Sequence, residues 1–382
     1  MTSAAFLALL AAGCLSALSA ALAVRAFLYV ALLIVLILAY AWLSAWLSRR
    51  TTRLYVSLSE QQVLRGEPDD LVLKAHRSSP LPAGALTILW REGEGDSARQ
   101  VTLNPGLRRD AQVSLPVSTA HVGQFILKVE QARWEDLFGL VVFRKTGFQA
   151  KQVTVLPRPF PIEKPSFSAA EEGAAALRRA AEDYNAPDDL RSWQPGDAMK
   201  RVQWKLYARK GELLVRQYEA PMPRDTLILM DCGPVKGDKG EPQAKLRDAL
   251  CETAVAVADL QMRDGQPVRM PMYGSEATEF SSDRKENLLV LQRLLAVQTF
   301  GGKESFARVI REEMKRVRRS GAVVTLTTRL TADAADAMCD LRRLGPSVRC
   351  YLVTSRAAQE EDLAYVQQLQ HHLVEVCYVT PA

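Results

Sequence analysis

The sequence predicts a multi-domain protein: an N-terminal two-helix transmembrane hairpin, a small antiparallel β-sandwich-like domain and a C-terminal α/β domain built on a parallel sheet. Three observations lead there. Residues 4–47 contain a single charged side chain, Arg25. Residues 54–157 hold short apolar runs separated by Gly, Pro, Asn and Asp. Beyond about residue 225, apolar strand-like runs alternate with stretches of helical periodicity.

As one helix, the first stretch would measure about 66 Å at ~1.5 Å per residue, about twice the ~30 Å hydrocarbon thickness of a bilayer. Two spans are therefore expected, about 4–23 and 26–47, within a hairpin domain of 1–48 and with Arg25 at the turn. Tyr40, Trp42 and Trp46 suit an interfacial aromatic belt at the end of the second span. Arg49, Arg50 and Arg53 outnumber Arg25, so the positive-inside rule places everything after residue 48 on the cytoplasmic side. The expectation is a multi-pass protein of the cell inner membrane with a cytoplasmic soluble region. Ala21-Leu22-Ala23 has the look of a signal-cleavage site, but no basic region precedes it.

With 48% apolar and 24% charged residues, the chain has enough hydrophobic surface to fold. The net charge of +6 is dispersed over many acids and bases, so no specific nucleic acid is expected. A lipid bilayer is the nearer partner, since the first dense basic cluster directly follows the spans. Six cysteines, Cys14, Cys232, Cys251, Cys339, Cys350 and Cys377, form no C-x-x-C pair and have no zinc-type His spacing. Most of the later five fall within apolar strand or helix patterns and read as buried, reduced thiols, with neither a metal site nor a disulfide framework expected.

In the β-rich domain, 54–157, the runs at 54–58, 71–75, 85–90, 125–129 and 140–143 have strand length. His76 and His121 are isolated, neither having a nearby Cys, Ser or acid in a recognisable motif, and read as surface or turn histidines. Pro157, Pro159, Pro161 and Pro165 followed by an Ala/Glu/Arg stretch mark 158–186 as a linker with a possible helix.

The domain 187–382 opens on the most informative stretch, DLRSWQPGDAMKRVQWKLYARKGELLVRQYE at 189–219. Pro195-Gly196 signals a turn, Asp197 suits the N-cap of a helix over 198–209, Gly211 suits its stop, and a strand at 213–218 should follow. Lys200, Arg201, Lys205, Arg209, Lys210 and Arg216, interleaved with Trp204, Tyr207 and Tyr218, resemble an anion- or partner-binding surface. The plainer reading makes Trp204 a core anchor, pairs Arg191 and Arg209 with Asp188, Asp189 or Asp197, and leaves the lysines solvated.

This stretch resembles the bacterial proteins grouped as domain of unknown function fifty-eight. Their pattern, R-x-W/Y-x-P-G-D, then V/I-x-W-K, A-R and a strand with V-R-x-x-E, is matched by Arg191, Pro195, Gly196, Asp197, Val202, Trp204, Lys205, Ala208, Arg209, Leu213, Val215, Arg216 and Glu219. The two-span anchor, the β-rich region, Trp134-Glu135-Asp136-Leu137-Phe138-Gly139-Leu140 in place of the usual D-P-F-G-L, and Leu156-Pro157-Arg158-Pro159 follow in family order. The resemblance implies a von Willebrand factor A-like C-terminal fold and association with MoxR-type AAA+ ATPases.

Strands are predicted in that domain at 226–231, 268–273, 322–327, 348–354 and 374–379, with helices at 243–263, 284–297, 304–318, 332–344 and 357–371. Any site should lie at the strands' C-terminal ends. The metal motif of von Willebrand factor A-like folds, D-x-S-x-S, survives only as Asp231, since Gly233 and Val235 replace both serines and Thr327 and Thr328 stand where an acid is usual. A hard cation needs several oxygen ligands, so no metal is expected. The loop 233–240 fails as a phosphate loop because Asp238 and Gly240 occupy positions that need Gly and Ser or Thr. His371 and His372 suit a helix end, and Arg308, Arg311, Lys315, Arg316, Arg318 and Arg319 read as a solvated helix face.

The expected function is that of a non-enzymatic, membrane-anchored adaptor. It would present its α/β domain and the residues Arg191, Pro195, Gly196, Asp197, Trp204, Lys205, Arg209, Arg216 and Glu219 to a protein partner, for which the resemblance implies a MoxR-type ATPase in complex assembly or maturation. No cofactor is expected. Two alternatives stay open: a membrane-surface enzyme using Arg191, Asp197 and Arg209, which lack a paired nucleophile and base, and an electrostatic binder of anionic lipid or nucleic acid.

Overall fold

The computed structural model describes residues 2–79, 84–93, 98–106, 108–162, 189–194, 199, 202, 204–217, 225–235, 241–274, 277–302, 304–317, 320–354 and 360–381. The chain divides into two compact units, residues 1–157 with 295–297, and 158–294 with 298–382.

The first unit opens with helices α1 (Ser3–Leu22) and α2 (Arg25–Thr51), packed against each other. The turn falls at Ala23 and Val24, with Ala23 at φ 50°, so Arg25 opens the second helix instead of forming the turn. The side chains that the helices bury are mostly small, and most of their large ones are exposed. Ala31, Leu38, Ala41, Ala45 and Ser48 form a buried stripe at helical spacing on α2, whereas Leu7, Leu10, Leu32 and Leu36 are exposed. A soluble helix pair does the reverse, because water rewards burying the largest apolar surface. Both helices are long and apolar enough to cross a membrane.

The strands that follow are β1 (Thr52–Leu58), β2 (Gln62–Leu64), β3 (Asp69–Arg77), β4 (Leu86–Glu92), β5 (Arg99–Leu103), β6 (Asp110–Val117), β7 (Gly123–Glu135), β8 (Val142–Lys145) and β9 (Lys151–Leu156). One sheet has the order β1-β3-β6; the other runs β2-β9-β7-β4-β5, with β8 also on β7. Strand alternation builds a shared core: Leu71, Leu73 and Ala75 of β3 join Leu86, Ile88 and Trp90 of β4 and Leu127 and Val129 of β7. The second sheet is mixed and not antiparallel throughout, since β2 pairs with β9 in parallel.

In the second unit, β10 (Asp189–Ser192) and β11 (Leu214–Gln217) form an antiparallel ribbon, with α3 (Trp204–Lys210) between them in sequence. A six-stranded sheet follows: β12 (Asp225–Met230), β13 (Val268–Tyr273), β14 (Ala277–Ser282), β15 (Ser320–Thr327), β16 (Ser347–Val353) and β17 (Glu375–Val379), in the order β14-β13-β12-β15-β16-β17. All neighbours are parallel except β13 and β14. The parallel sheet expected from the sequence therefore gains an antiparallel edge strand. Its residues, ATEFSS, are mostly polar and exposed, so no apolar run announces it.

β12 is buried on both faces, as a central parallel strand must be when helices cover both sides. Leu227 and Leu229 pack with α6 (Phe306–Met314), α7 (Ala332–Arg343) and α8 (Glu360–His371). The long α4 (Glu241–Arg263) lies against β12, β13, β15 and β16, and α5 (Leu288–Val297) follows β14. Four of the cysteines, Cys232, Cys251, Cys339 and Cys350, are buried in this unit as thiols.

Candidate functional site

Counted within the second unit's sheet, β12 to β17 take the order 3-2-1-4-5-6. The topological switch therefore falls between β12 and β15, where doubly wound folds open a crevice at the strands' carboxyl ends. Asp231 sits just beyond β12, its backbone N–H held by the Leu326 carbonyl at 2.8 Å. Its side chain is already engaged. Oδ1 accepts from the Gly233 N–H at 3.0 Å, and Oδ2 accepts from the Thr327 hydroxyl, also at 3.0 Å. That hydroxyl alternatively donates to the Arg329 carbonyl at 2.8 Å, so its one proton is divided between two acceptors. Asp231 thus ties the ends of two neighbouring strands together.

The floor of the same edge is backbone. The Cys232 carbonyl accepts from both Gly301 and Gly302 N–H groups at 3.0 and 3.1 Å. A Cβ on Gly302 would stand 2.8 Å from the Tyr273 carbonyl oxygen, which explains a glycine there. Burial, reinforced by the Asp231 charge, pushes the Cys232 thiol up to about 12, so it stays protonated and is a poor nucleophile. Among the described residues no group of three His, Cys, Asp or Glu is placed to hold a metal ion.

The second place is the ribbon and helix of the 189–219 segment. Arg191 stands opposite Val215 and Arg216 opposite Leu190 in the β10–β11 register, and the Trp193 N–H continues the pairing to the Leu213 carbonyl at 2.8 Å. The expected helix over 198–209 is shorter: Met199 and Val202 form a bonded turn, Val202 is buried, and the helix starts at Trp204. Gly211, at φ 71°, closes it by donating to the Tyr207 carbonyl at 2.8 Å. Trp204 is 53% exposed and Tyr207 43%, their rings meeting edge to face at 6.1 Å, with Lys205 and Arg209 exposed beside them. Trp204 is therefore a surface aromatic and not a core anchor. Pro195, Gly196, Asp197 and Glu219 lie outside the described residues, as do 236–240 and most of the expected 158–186 linker.

Other sequence candidates found partners, some of them distant along the chain. His76 Nδ1 lies 2.6 Å from Asp110 Oδ1 across β3 and β6, an acid that local sequence could not supply. Arg308 bridges Glu304 and Glu312, and Arg316 lies near Glu279 and Glu313, so that basic run is partly neutralised. His371 and His372 meet edge to face where α8 ends.

The molecule thus combines two helices long enough and apolar enough to cross a membrane with a β-rich region and an α/β domain whose sheet is mostly parallel. Residues 189–369 match the family described as "Protein of unknown function DUF58". Among curated relatives, the uncharacterized protein YeaD of Bacillus subtilis (strain 168) is 23% identical over 352 residues, covering 88% of this chain and 83% of that protein. Two solved structures, the sporulation control protein Spo0M of Bacillus subtilis and Cwp6 of Clostridium difficile, align over 33% and 86% of this chain and 56% and 53% of theirs. Their identities are 9% and 8% and their TM-scores 0.17 and 0.16. At those scores they say nothing about fold or function.

Proposed function

We propose that this protein is a membrane-anchored, non-enzymatic adaptor that presents its C-terminal domain to a protein partner at the cytoplasmic face of the inner membrane. The observation that carries the reading is the exposed Trp204 and Tyr207 pair flanked by Lys205 and Arg209. Large aromatics and arginine are the side chains that dominate protein-protein binding energies, and leaving two aromatics in water is unfavourable unless something covers them. The residues at the switch point are consistent with a scaffold: Asp231 is bonded within the fold and Cys232 is held as a thiol. The 3-2-1-4-5-6 strand order with an antiparallel edge supports a von Willebrand factor A-like domain, and the family resemblance points to a MoxR-type AAA+ ATPase as the partner. The apolar α1 and α2, followed by Arg49, Arg50 and Arg53, support an anchor whose soluble part is cytoplasmic.

The test is affinity purification of the full chain from mild-detergent membranes with ATP present, beside Trp204→Ala and Arg209→Ala. Both residues are exposed, so the variants are expected to fold. Recovery of an AAA+ ATPase by the wild type, with at least a ~10-fold loss in the Trp204 variant as for an interface hot spot, is the expected result. Equal recovery by wild type and variants would remove the surface from the proposal, and no ATPase in any sample would remove the partner.

A further inference from the structure

The turn at 136–139 lies where the apolar helices end. Thr2, which caps α1 by accepting from the Ala5 N–H, also donates to the Leu140 carbonyl through its hydroxyl at 2.8 Å and its N–H at 3.1 Å. Val141 packs with Ala41 and Ala45 of α2, joined by Leu140 and Phe143. Arg49 stacks over Phe143 at 5.7 Å, Arg50 over Trp46 at 4.8 Å, and Trp46 on Trp42 at 6.1 Å. A ring of Trp and Arg of this kind marks the depth at which a span leaves the hydrocarbon.

The lengths agree. The 20 residues of α1 span about 30 Å, the thickness of the hydrocarbon layer, so Thr2 lies at its boundary. Phe138 is two residues from Leu140 and so within about 7 Å of that level along the chain. The turn is also held rigidly. Buried Asp136 accepts from the Phe138 N–H at 2.9 Å and the Val141 N–H at 2.7 Å, and Gly139 supplies φ 69°. Within it, Leu137 is 46% exposed and Phe138 58%. One exposed leucine is ordinary. Two adjacent apolar side chains on a pinned turn at the foot of two apolar helices are placed for lipid.

We propose that Leu137 and Phe138 insert into the interfacial layer of the bilayer and act as a third attachment point beside α1 and α2. This rests on the reading of α1 and α2 as spans. Burying the pair in lipid stabilises the turn at the membrane and holds the β7–β8 end of the β-rich region, already packed on α2, at the surface.

The test uses the full chain with Cys14→Ser and Cys377→Ser, which leaves four buried thiols that resist labelling. An environment-sensitive fluorophore is attached at Phe138→Cys, and separately at Leu137→Cys, at the exposed Leu33→Cys in the first half of α2 and at Ser57→Cys on β1. Each is reconstituted in phosphatidylcholine vesicles whose acyl chains are brominated near the headgroup and, separately, at mid-chain. About a twofold or greater loss of fluorescence at positions 137, 138 and 33, with none at 57, is the expected result for side chains in contact with acyl chains. Quenching at 33 but at neither 137 nor 138 would overturn the third attachment and leave the anchor standing. No quenching at 33 would overturn the spans, and the inference with them.

Discussion

At Gly84 a single methyl group is too much. A Cβ there would sit 2.3 Å from the Asp136 carbonyl oxygen, with only backbone around it to give way. Gly84→Ala should therefore cost about 1–3 kcal/mol, the range for overpacking, read as a lower urea midpoint of the detergent-solubilised chain. The buried thiols make a second prediction. Cys232 and Cys350 are both raised from 9.0 to about 12, chiefly by burial. A folded-state value above the unfolded one means stability that is complete below about pH 9 and is lost as pH climbs towards about 12. Urea midpoints should fall across that window, and Cys350→Ala should flatten the fall. An unchanged slope would show that other groups control alkaline unfolding.

Between elements, the clearest junction is where β13 meets α6. Arg269 lies 2.8 Å from Glu313 Oε2 and 3.3 Å from both Asp225 and Glu279, while the Tyr273 hydroxyl donates to Glu313 Oε1 at 2.7 Å. Glu313 is almost fully buried. Arg269→Ala removes that buried carboxylate's closest cation, leaving it the Tyr273 hydroxyl and the more distant, exposed Arg316, and should cost about 3 kcal/mol, whereas the Trp204→Ala variant, with its exposed ring, should shift stability by no more than about 0.5 kcal/mol. Thermal melts of the two side by side separate a residue that holds the fold from one that faces a partner. At the switch point, Thr327→Val removes the hydroxyl that Asp231 Oδ2 accepts from and should cost about 1–3 kcal/mol. A neutral result would mean that water replaces that bond.

For the whole molecule, the distribution of large and small side chains on α1 and α2 makes a prediction about its surroundings. With most leucines outward and alanines inward, the pair is suited to an apolar environment. The protein should remain with membranes through a high-salt or alkaline wash and leave only with detergent. Release by salt alone would mean that its attachment is electrostatic and residues 3–51 are not spans.

What the sequence determined by itself was whatever a local pattern can carry. The nearly uncharged 4–47 stretch dictates two long helices. Period-two alternation places strands β1, β3, β4 and β7, and apolar runs between helical repeats place β12, β13, β15, β16 and β17. The 189–219 pattern announces the family, because its turn, helix and strand lie in one short segment. Tertiary structure decided the rest. β14 is a strand only because β13 offers an edge, and β10 only because β11 returns beside it, so neither needs an apolar run of its own. Trp204 read equally well as core or surface, since a tryptophan's burial depends on what packs over it and not on its neighbours in sequence. His76 with Asp110, Arg269 with Glu313, and Leu140 with Thr2 are 34, 44 and 138 residues apart. Contacts at such separations exist only once the chain has folded, because it is the register of the sheets and the packing of the helices that bring those atoms together.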